Sequence, residues 1–349
     1  METQKRTTDA DERLASVIIP VLNEEKYIAN CVESVLNQDF PKKNLELILV
    51  DGGSEDRTVE IIKDFADKYD FIKLCENPKK TVQHALNIGI RNAVGKYVVR
   101  MDAHSEYAGD YISECVRHLE KTNAANVGGP MIARGKTRLQ KVIAAAYHSP
   151  FALGGGKFHY ENYEGYADTV YLGAFKRETL MKLGLYDEDL PRNEDDDLNL
   201  RIMENGGKVY VTPKIKSVYY PRDCYRALFK QYFEYGMWKV AVIKKHGKFA
   251  RVSHLLPILF FLFIVIFSVL SLFSRLACLT FAAVMLIYWS LAFYFSLKSK
   301  YLNRFCNKIR LAWAHFVLHI AYGAGFFCGI LKFWNAKFGC DAKFTKKTI

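Results

Sequence analysis

The chain has 349 residues, of which half are hydrophobic, with a formal net charge of +12 and eight cysteines. The positive charge is compatible with a nucleic-acid partner, but no zinc-ligand spacing, aromatic and basic strand motif or basic arm is present, so we expect no nucleic acid to bind. The cysteines are scattered without a CxxC pair, which excludes a disulfide framework and indicates a reduced chain facing the cytosol.

Residues 1–14 are mostly polar and charged, without the apolar centre of a signal peptide. We interpret this segment as disordered and expect the soluble part of the chain to stay in the cytosol. Short apolar runs alternate with polar loops up to about Lys248, and long apolar segments follow. The sequence therefore predicts a soluble domain over residues 15–222 and a membrane region near the carboxyl end.

Strand and helix patterns alternate four times in the first hundred residues. Apolar runs predict strands at 15–22, 45–50, 71–75 and 96–101, and residues at helical spacing predict a first helix that contains 28–36 and further helices at 59–68 and 82–93. This alternation favours an α/β fold with a largely parallel sheet. Asn23 is expected to cap the first helix, with Glu24 in its first turn, and Ser54 or Asp56 to cap the second.

The loops after these strands carry side chains suited to ligand binding. Gly52 and Gly53 follow the second strand and permit a tight turn that brings the backbone close to a ligand. Asp102 and His104 follow the fourth strand, where open α/β sheets bind their ligands. With one residue between them, they are expected on the same side of an extended segment, close enough to share a divalent ion. Alternatively, Asp102 caps the next helix and His104 is a solvated loop residue.

The middle of the chain is less regular. Apolar runs predict strands at 126–131, 169–175 and 208–212. An acidic run at 192–197 opens a predicted helix over 198–204, and it marks either a catalytic carboxylate or a solvated helix N-terminus, where acids are favourable in any case. The glycine-rich stretch 150–157 is interpreted as a lid or an acceptor-side loop, with a plain surface loop as the alternative.

Three apolar segments close the chain. Residues 255–273 and 276–297 are each about long enough to span a membrane, and only two residues separate them, so they predict a helical hairpin. The loop 298–310 carries five basic residues and no acid, which places it in the cytosol by the positive-inside rule. The third segment, 311–334, is interrupted by two histidines and several glycines.

The orientation of the third segment stays open. A third full crossing would put the basic tail, residues 336–349, outside the cell, against the positive-inside rule. The segment 311–334 therefore crosses, or it is re-entrant or interfacial. The sequence predicts a multi-pass membrane protein with transmembrane helices within 251–335 and a cytoplasmic amino-terminal domain.

Four acidic positions stand at loops or at a helix start: Glu24, Asp51, Asp102 and the pair Glu194–Asp195. A transferase that acts on a metal–nucleotide complex needs such a set. One carboxylate accepts hydrogen bonds from a base or ribose, another holds the ion, and a third deprotonates a hydroxyl. A nicotinamide-dependent oxidoreductase is disfavoured, since no Gly-x-Gly-x-x-Gly follows a strand.

Several motifs together resemble the inverting glycosyltransferases of family 2. They are Pro20–Glu24, Val50–Thr58, Asp102–His104 and Glu194–Arg201, whose order and rough spacing also match. Three further motifs are similar to the succinoglycan-type membrane glycosyltransferases of bacterial exopolysaccharide assembly: Asp102–Ser105, Pro150–Phe151 with the glycines after it, and Gln231–Gly236. The resemblance covers about Ser16–Lys245. It implies a GT-A fold, in which a Rossmann-like mixed sheet forms the catalytic domain, followed here by transmembrane helices.

The resemblance implies roles for individual residues. The nucleotide-sugar pocket would be lined by Pro20, Asn23, Glu24, Asp51, Gly53 and Asp102, with Asp51 on uracil or another base. Asp102 would meet the ribose and the diphosphate through Mg²⁺ or Mn²⁺. His104 stands where the family more often has a second Asp, and this softer ligand either binds Mn²⁺ directly or hydrogen-bonds a phosphate.

Asp195, which follows Glu194 at the helix start, matches the family's catalytic base. It would take the proton from an acceptor hydroxyl as that oxygen attacks the anomeric carbon of the sugar, so that a single displacement inverts this centre. Crowding by Asp196 and Asp197 is expected to raise the pKa of Asp195 and to make it a stronger base.

The segment 223–250 carries the implied acceptor-side residues Gln231, Tyr235 and Trp238. Processive relatives have Gln-x-x-Arg-Trp here, and because Glu234 and Tyr235 replace the last two residues, the resemblance implies the addition of a single sugar. The segment is predicted to be an amphipathic helix in the membrane interface or, equally by its periodicity, a helix packed on the domain.

The implied partners are a nucleotide-sugar donor, a UDP-sugar in particular, a polyprenyl-diphosphate-linked saccharide acceptor and membrane lipid. The implied process is the assembly of an extracellular or capsular polysaccharide. Two alternatives stay open: a processive polysaccharide synthase, and a nucleotide-binding membrane scaffold without catalytic activity.

Overall fold

The computed structural model describes residues 13–153, 156–248 and 252–336. The N-terminal segment before residue 13, the glycines at 154 and 155, and the basic tail after residue 336 lie outside the described residues. The chain divides into two compact units. The first consists of Met1–Ile132 and Tyr160–Tyr219, and the second of Ala133–His159 and Tyr220–Ile349.

The first unit contains two β-sheets. The strands in chain order, with β7 ending at the boundary of this unit, are β1 (Ala15–Val21), β2 (Leu45–Asp51), β3 (Ile72–Glu76), β4 (Tyr97–Arg100), β5 (Glu106–Tyr107), β6 (Asn126–Gly129), β7 (Ile132–Ala133), β8 (Gly165–Ala167), β9 (Tyr171–Lys176), β10 (Val209–Val211) and β11 (Ser217–Tyr219). Eight strands form one sheet in the order β3-β2-β1-β4-β9-β6-β10-β8, and β5, β11 and β7 form a small second sheet. Strands β1 to β4 are parallel, whereas β9 is antiparallel to both β4 and β6, so the large sheet is mixed.

Both units contain helices. In chain order they are α1 (Ile28–Leu36), α2 (Thr58–Ala66), α3 (Val82–Asn92), α4 (Tyr111–Thr122), α5 (Arg138–Tyr147), α6 (Pro150–Leu153), α7 (Arg177–Lys182), α8 (Glu194–Glu204), α9 (Tyr225–His246), α10 (Leu256–Leu270), α11 (Arg275–Lys298) and α12 (Phe305–Lys332). Helices α5, α6 and α9 to α12 belong to the second unit.

The apolar core of the first unit is built around β1 and β2. Every residue of β2 is buried, and so is every residue of β1 except Pro20. Side chains on both faces of these strands are therefore covered, which explains why the sequence shows continuous apolar runs here and not an alternating pattern. Fully buried Val17, Leu47 and Val99 belong to one apolar cluster that also includes residues of α1 and α4.

The start of the first helix differs from the prediction. Helix α1 begins at Ile28, and Asn23 is not its cap. Asn23 has a left-handed backbone with φ of 55°, a conformation that asparagine tolerates better than most residues. The N-cap position of α2 is Arg57 and not the predicted Ser54 or Asp56, although Asp56, one residue earlier, accepts a hydrogen bond from the Thr58 amide at 3.0 Å.

The glycine-rich stretch also differs from the predicted loop. Its first residues form the short helix α6, and the carbonyl of Phe151 is 2.9 Å from His319 Nε2 of α12. The Phe151 ring stacks on Phe295 of α11 at 5.4 Å. The segment 133–159 thus belongs with the apolar helices, although the sequence indicates one continuous domain over 15–222.

Three helices of the second unit are long and apolar enough to cross a membrane. They cover Ser253–Leu270, Arg275–Lys298 and Phe305–Lys332, close to the three predicted segments. The third is one unbroken helix of 28 residues, so the described chain does not turn back within it as a re-entrant segment would. Helix α9 covers most of the predicted amphipathic segment 223–250.

Gly129 is a position where only glycine fits. A Cβ atom at Gly129 would overlap the backbone carbonyl of Ile215, which cannot move as a flexible side chain can. We expect Gly129→Ala to lower the stability of the first unit by about 1–3 kcal/mol, a drop in melting temperature of roughly 3–10 °C. Gly109→Ala is the matched control, because the nearest atom to its Cβ would be Asn37 O at 3.9 Å. Equal melting temperatures of the two purified variants would contradict this account.

Candidate active site

The carboxyl ends of β1 and β4 form a crevice in the large sheet. Strand β1 lies between β2 and β4, so the order of the strands reverses at this point, where open α/β sheets bind ligands. The pairing of β1 with β4 ends at Ile18 and Arg100, whereas β1 continues beside β2 to Val21. Pro20 has no N–H group and lies beyond the last β4 pair, so the ladder between β1 and β4 loses no hydrogen bond there.

The loops after β1 and β2 are hydrogen-bonded to each other. Asn23 donates its backbone N–H to Ser54 Oγ at 2.8 Å, and its side-chain oxygen accepts from the Glu55 amide at 2.9 Å. The Glu24 amide donates to Thr58 Oγ1 at 2.7 Å. Asn23 and Glu24, predicted from sequence as nucleotide-pocket residues, are thus held in a fixed loop at one side of the crevice.

Asp51 holds the turn that follows β2. Its carboxylate accepts hydrogen bonds from the Gly53 amide at 2.9 Å, the Ser54 amide at 3.1 Å and Ser54 Oγ at 2.6 Å, and the residue is only 6% exposed. Gly53 has φ of +81°, which explains why glycine stands there. The turn uses most of the acceptor capacity of the carboxylate. The binding of a base by Asp51 stays a prediction.

Arg100 at the end of β4 joins three carboxylates. Its Nη1 atom lies 2.7 Å from Asp195 Oδ1 and 3.5 Å from Glu194 Oε1, and its Nε atom lies 3.6 Å from Asp102 Oδ1. The arginine side chain is only 9% exposed, and a buried guanidinium needs such counter-charges. Arg100 therefore brings Asp102 and the Glu194–Asp195 pair, which are distant in sequence, into one cluster.

The same arginine keeps an unused donor. Among the described residues, no hydrogen-bond acceptor satisfies the buried Nε–H of Arg100, because Asp102 Oδ1 is too far away for a hydrogen bond. Buried polar groups are normally paired, so this N–H is suited to an oxygen atom that the protein itself does not supply.

The pKa of Asp195 is raised to about 7. The largest cause is burial, which disfavours the charged carboxylate; Arg100 opposes it, and the negative charges of Glu194, Asp196 and Asp102 add to it. The sequence correctly predicts that the pKa of Asp195 is raised. The predicted cause, crowding by Asp196 and Asp197, is partly wrong, because burial is the largest cause.

Asp197 is not among the largest causes of that rise. It is completely buried, and its carboxylate accepts a hydrogen bond from Arg201 Nε at 2.9 Å, one turn further along α8. Arg201 therefore provides Asp197 with a counter-charge within the same helix.

Asp102 and His104 lie in the turn after β4. The hydroxyl of Tyr107 accepts from the Asp102 amide at 2.6 Å and donates to its carbonyl at 3.1 Å, which fixes the backbone of this turn. His104 Nδ1 lies 3.3 Å from Glu24 Oε1 and so connects the turn to the loop after β1.

Asp102 and His104 could supply only part of the coordination of a divalent ion. Within the described ranges, no three His, Cys, Asp or Glu side chains are placed so that they could hold a metal ion together. An ion would therefore need other ligands besides Asp102 and His104. Mg²⁺ is commonly held by one or two carboxylates together with substrate phosphates, and imidazole is an accepted transition-metal ligand. Within the described ranges the side-chain carboxylate of Asp102 accepts no hydrogen bond, and the side chain is 23% exposed, so its carboxylate oxygens fit such a substrate-completed site.

The predicted acceptor-side residues lie on α9. Gln231 Nε2 donates to the Tyr235 hydroxyl at 2.9 Å, so these two residues act together. Trp238 packs on the Phe333 ring at 5.2 Å, with Lys332 Nζ 5.2 Å from its centroid. The contacts of Trp238 are thus packing contacts with the end of α12, and a role for all three residues in acceptor binding stays a prediction.

Arg100 and Tyr107 are two residues of the site that the sequence motifs do not predict. Arg100 leaves a signal, because it is a charged residue inside the buried apolar run Tyr97–Met101, and such a residue requires a partner. Tyr107 leaves none, since an aromatic residue in a short strand has an equally good explanation as part of the core.

Comparisons with known proteins identify the family of this chain. Residues 16–184 match the model of the family described as Glycosyl transferase family 2. The chain is 33% identical over 238 residues, 66% of its length and 74% of the relative's, to the dolichyl N-acetyl-alpha-D-glucosaminyl phosphate 3-beta-D-2,3-diacetamido-2,3-dideoxy-beta-D-glucuronosyltransferase of Methanococcus voltae. It is 31% identical over 244 residues, 69% of its length and 74% of the relative's, to the succinoglycan biosynthesis protein ExoA of Rhizobium meliloti (strain 1021).

A solved structure has the same fold. The mannosyltransferase PcManGT from Pyrobaculum calidifontis, in complex with GDP-Man and Mn²⁺, superposes with a TM-score of 0.62 at 20% identity, covering 96% of this chain and 92% of that one. The expected GT-A fold, with a mixed sheet followed by apolar helices, is confirmed.

The Arg100 cluster predicts a measurable contribution to stability. We expect Arg100→Gln to destabilise the first unit by about 3 kcal/mol or more, roughly 6–12 °C in melting temperature, because three carboxylates lose their buried counter-charge. Arg57→Gln is the control, since Arg57 forms an exposed ion pair with Glu60 and its loss should leave the melting temperature unchanged. Similar shifts in both variants would show that Arg100 does not hold the cluster together.

Proposed function

Because the chain belongs to glycosyl transferase family 2, we propose that it transfers a single sugar from a nucleotide-sugar, in particular a UDP-sugar, to a lipid-linked saccharide with inversion at the anomeric carbon. The observation that carries this proposal is the Arg100 cluster. It joins Asp102, on the side where the family binds the donor diphosphate, to Asp195, which matches the family's base.

The donor would bind across the ends of β1, β2 and β4. Pro20, Asn23, Glu24, Asp51 and Gly53 lie at the ends of β1 and β2 or in the loops after them, which would enclose the nucleotide. Asp102 and His104 would hold Mg²⁺ or Mn²⁺, which when bound would neutralise the diphosphate charge. The unsatisfied Nε–H of Arg100 would donate to an oxygen of the donor.

Asp195 would act as the general base. As its carboxylate removes the acceptor hydroxyl proton, the acceptor oxygen forms a bond to the anomeric carbon and the bond from that carbon to the diphosphate breaks on the opposite face. The nucleoside diphosphate leaves with the electron pair, and an α-linked donor gives a β-linked product. A pKa of about 7 suits this task, because at neutral pH much of the carboxylate is ionised while it remains a stronger base than an ordinary Asp.

The apolar helices support the proposal that the acceptor is linked to a lipid. One relative is named for a dolichyl-phosphate sugar substrate and another for succinoglycan biosynthesis, and this chain carries three helices long and apolar enough to span a membrane. Anchoring an enzyme beside a lipid-linked substrate raises the effective concentration of both. We propose a polyprenyl-diphosphate-linked saccharide in extracellular or capsular polysaccharide assembly, with the catalytic unit in the cytosol, as the basic loop 298–310 favours.

A single addition is favoured over chain extension. Glu234 and Tyr235 stand where processive relatives have Arg and Trp, and Tyr235 accepts a hydrogen bond from Gln231, the one residue of that motif that is kept. We therefore expect one labelled acceptor to gain one sugar.

Removal of the base provides the direct test. Membranes that carry the full-length protein are incubated with a panel of labelled nucleotide-sugars and Mn²⁺, and released nucleotide and lipid-extractable product are measured. We expect Asp195→Asn to reduce turnover by roughly 10²–10⁴-fold while UDP binding is kept. Asp196→Asn changes the net charge equally at the next position and should stay active.

Two outcomes would contradict the proposal. Full turnover by Asp195→Asn would exclude Asp195 as the base. Binding of UDP without nucleotide release from any donor would instead favour the non-catalytic scaffold.

The dependence of the rate on pH should report the ionisation of the Asp195 carboxyl group. A base works only when deprotonated, so we expect kcat/KM to fall about tenfold per pH unit below pH 7 and to level off above it. Arg100 lowers the pKa of Asp195 and Asp196 raises it, so residual activity of Arg100→Gln should have its inflection at higher pH, and Asp196→Asn at lower pH. Inflections that coincide in the wild type and both variants would show that another group controls the profile.

A further inference from the structure

Helix α12 lies beside α9 over almost its whole length. At one end, the Tyr225 hydroxyl of α9 donates to the Arg310 carbonyl at 2.9 Å. At the other end, Lys244 Nζ donates to the Trp334 carbonyl, just beyond α12, at 2.7 Å. The beginning of α9 therefore lies at the beginning of α12 and the end at the end, so the two helices are parallel and in register.

Glycines bring the two backbones into contact between these ends. A Cβ atom at Gly236 of α9 would overlap the backbone of Tyr322, and one at Gly325 of α12 would overlap the backbone of Phe233. Gly329 lies in the same way against the backbone of Met237. Such close contact along about two turns of α12, together with the hydrogen bonds at both ends, means that α9 and α12 occupy the same depth in any surrounding medium.

This pairing matters because α9 is strongly charged. It contains Arg226, Lys230, Glu234, Lys239, Lys244 and Lys245. The shared stretch from Tyr225 to Lys244 is about 29 Å long at 1.5 Å per residue, close to the thickness of the hydrocarbon core of a bilayer. If α12 crossed the membrane, α9 would carry several charges through the hydrocarbon, where ionised side chains are costly.

Helices α10 and α11 have the opposite character. Neither 256–274 nor 276–297 contains a charged residue. Between Val265 and Ile287, a stretch that the structure describes in full, Ala277 is the single buried residue. These two helices thus present apolar side chains outward on almost all sides, as a lipid-facing hairpin does.

Helix α12 is much less exposed than α10 and α11. Over residues 311–330, all of which the structure describes, Trp313 is the single exposed residue. Helix α12 therefore has no continuous outward apolar face of bilayer length.

Contacts with the hairpin show where α12 meets it. A Cβ at Gly323 would overlap the Pro257 carbonyl at the start of α10, and the Trp289 ring of α11 is stacked on Trp313 at 6.2 Å. These contacts lie more than two turns away from the hairpin tip at 271–274. Helix α12 thus packs against the start of α10 and the second half of α11, the end of the hairpin that we call its foot. The tip of the hairpin extends beyond α12.

Uncompensated positive charge surrounds this foot. Six basic residues there form no ion pair with any acid in the part of the chain that the structure describes: Arg138, Lys298, Lys300, Arg304, Lys308 and Arg310. Arg138 of α5 reaches the start of α12 by a 2.9 Å hydrogen bond to Asn307 Oδ1. Lys and Arg at a hairpin foot are typical of the cytosolic side and attract anionic lipid headgroups.

We propose that α10 and α11 are the sole membrane-spanning pair of the described chain, and that α12 lies with α9 in the headgroup interface on the side from which the hairpin enters. The loop 298–310 and the carboxyl end of α12 are then on one side of the membrane and the hairpin tip on the other. This inference depends on membrane insertion but not on the proposed sugar transfer, so either can fail without the other.

Accessibility of single cysteines tests this topology in the full-length protein. Phe273→Cys marks the hairpin tip, Lys300→Cys the loop and Asn335→Cys the end of α12, each in a background without native cysteines. Intact cells and inverted membrane vesicles are treated with a membrane-impermeant maleimide. We expect Lys300→Cys and Asn335→Cys to react in the inverted vesicles and Phe273→Cys in the intact cells. Labelling of Asn335→Cys from the same side as Phe273→Cys would overturn the proposal.

A second measurement covers the case in which the cysteine-free background does not accumulate. The otherwise wild-type chain carries a carboxyl-terminal epitope, and sealed inverted vesicles are treated with protease. We expect the epitope to be lost, with a protected fragment the size of the hairpin. An epitope that survives in sealed vesicles and is lost only after detergent treatment would show that α12 crosses.

Discussion

One buried cation organises the chemistry of the first unit. Arg100 stands at the last residue of β4, where the strand leaves the core, and its guanidinium contacts carboxylates from the turn after β4 and from the start of α8. Removing charges from water is costly, and their mutual attraction repays that cost only when partners and geometry are good. The cluster therefore ties α8 to the end of β4, and this is why residues far apart in sequence line one crevice.

The strands could be predicted because burial leaves a simple pattern. Strands β1 and β2 are covered on both faces, so each is a continuous apolar run, and the polar residues after them mark the sheet edge. The reversed direction of β9 could not be predicted, since strand direction depends on the path of the whole chain. The start of α1 was mispredicted because the side chain of Asn23 pairs with the Glu55 amide in another loop, a tertiary contact that replaces the usual cap.

Prediction of the second unit from its sequence is limited in a similar way. Hydropathy located three apolar helices correctly, yet hydropathy measures one helix at a time, and the depth of α12 depends on its neighbour. Gly236 and Gly325 allow the backbones of α9 and α12 to touch, so the charges of one helix restrict the position of the other. Gly154 and Gly155 of the predicted lid lie outside the described residues, whereas Phe151 just before them is anchored among aromatic rings of the apolar helices.

The pKa of Asp195 illustrates why the arginine and the neighbouring acids are needed together. Without Arg100, burial and three nearby acids would raise the pKa of the Asp195 carboxyl further, and a protonated acid cannot remove a proton from a hydroxyl. Full exposure would leave an ordinary Asp, which is ionised but a weak base. Arg100 offsets only part of the burial and the repulsion, so the pKa of Asp195 rises to about 7, near the pH at which general bases are most effective. The contact between Arg100 and Asp195, which holds the sides of the crevice together, thus also sets the basicity that the proposed transfer requires.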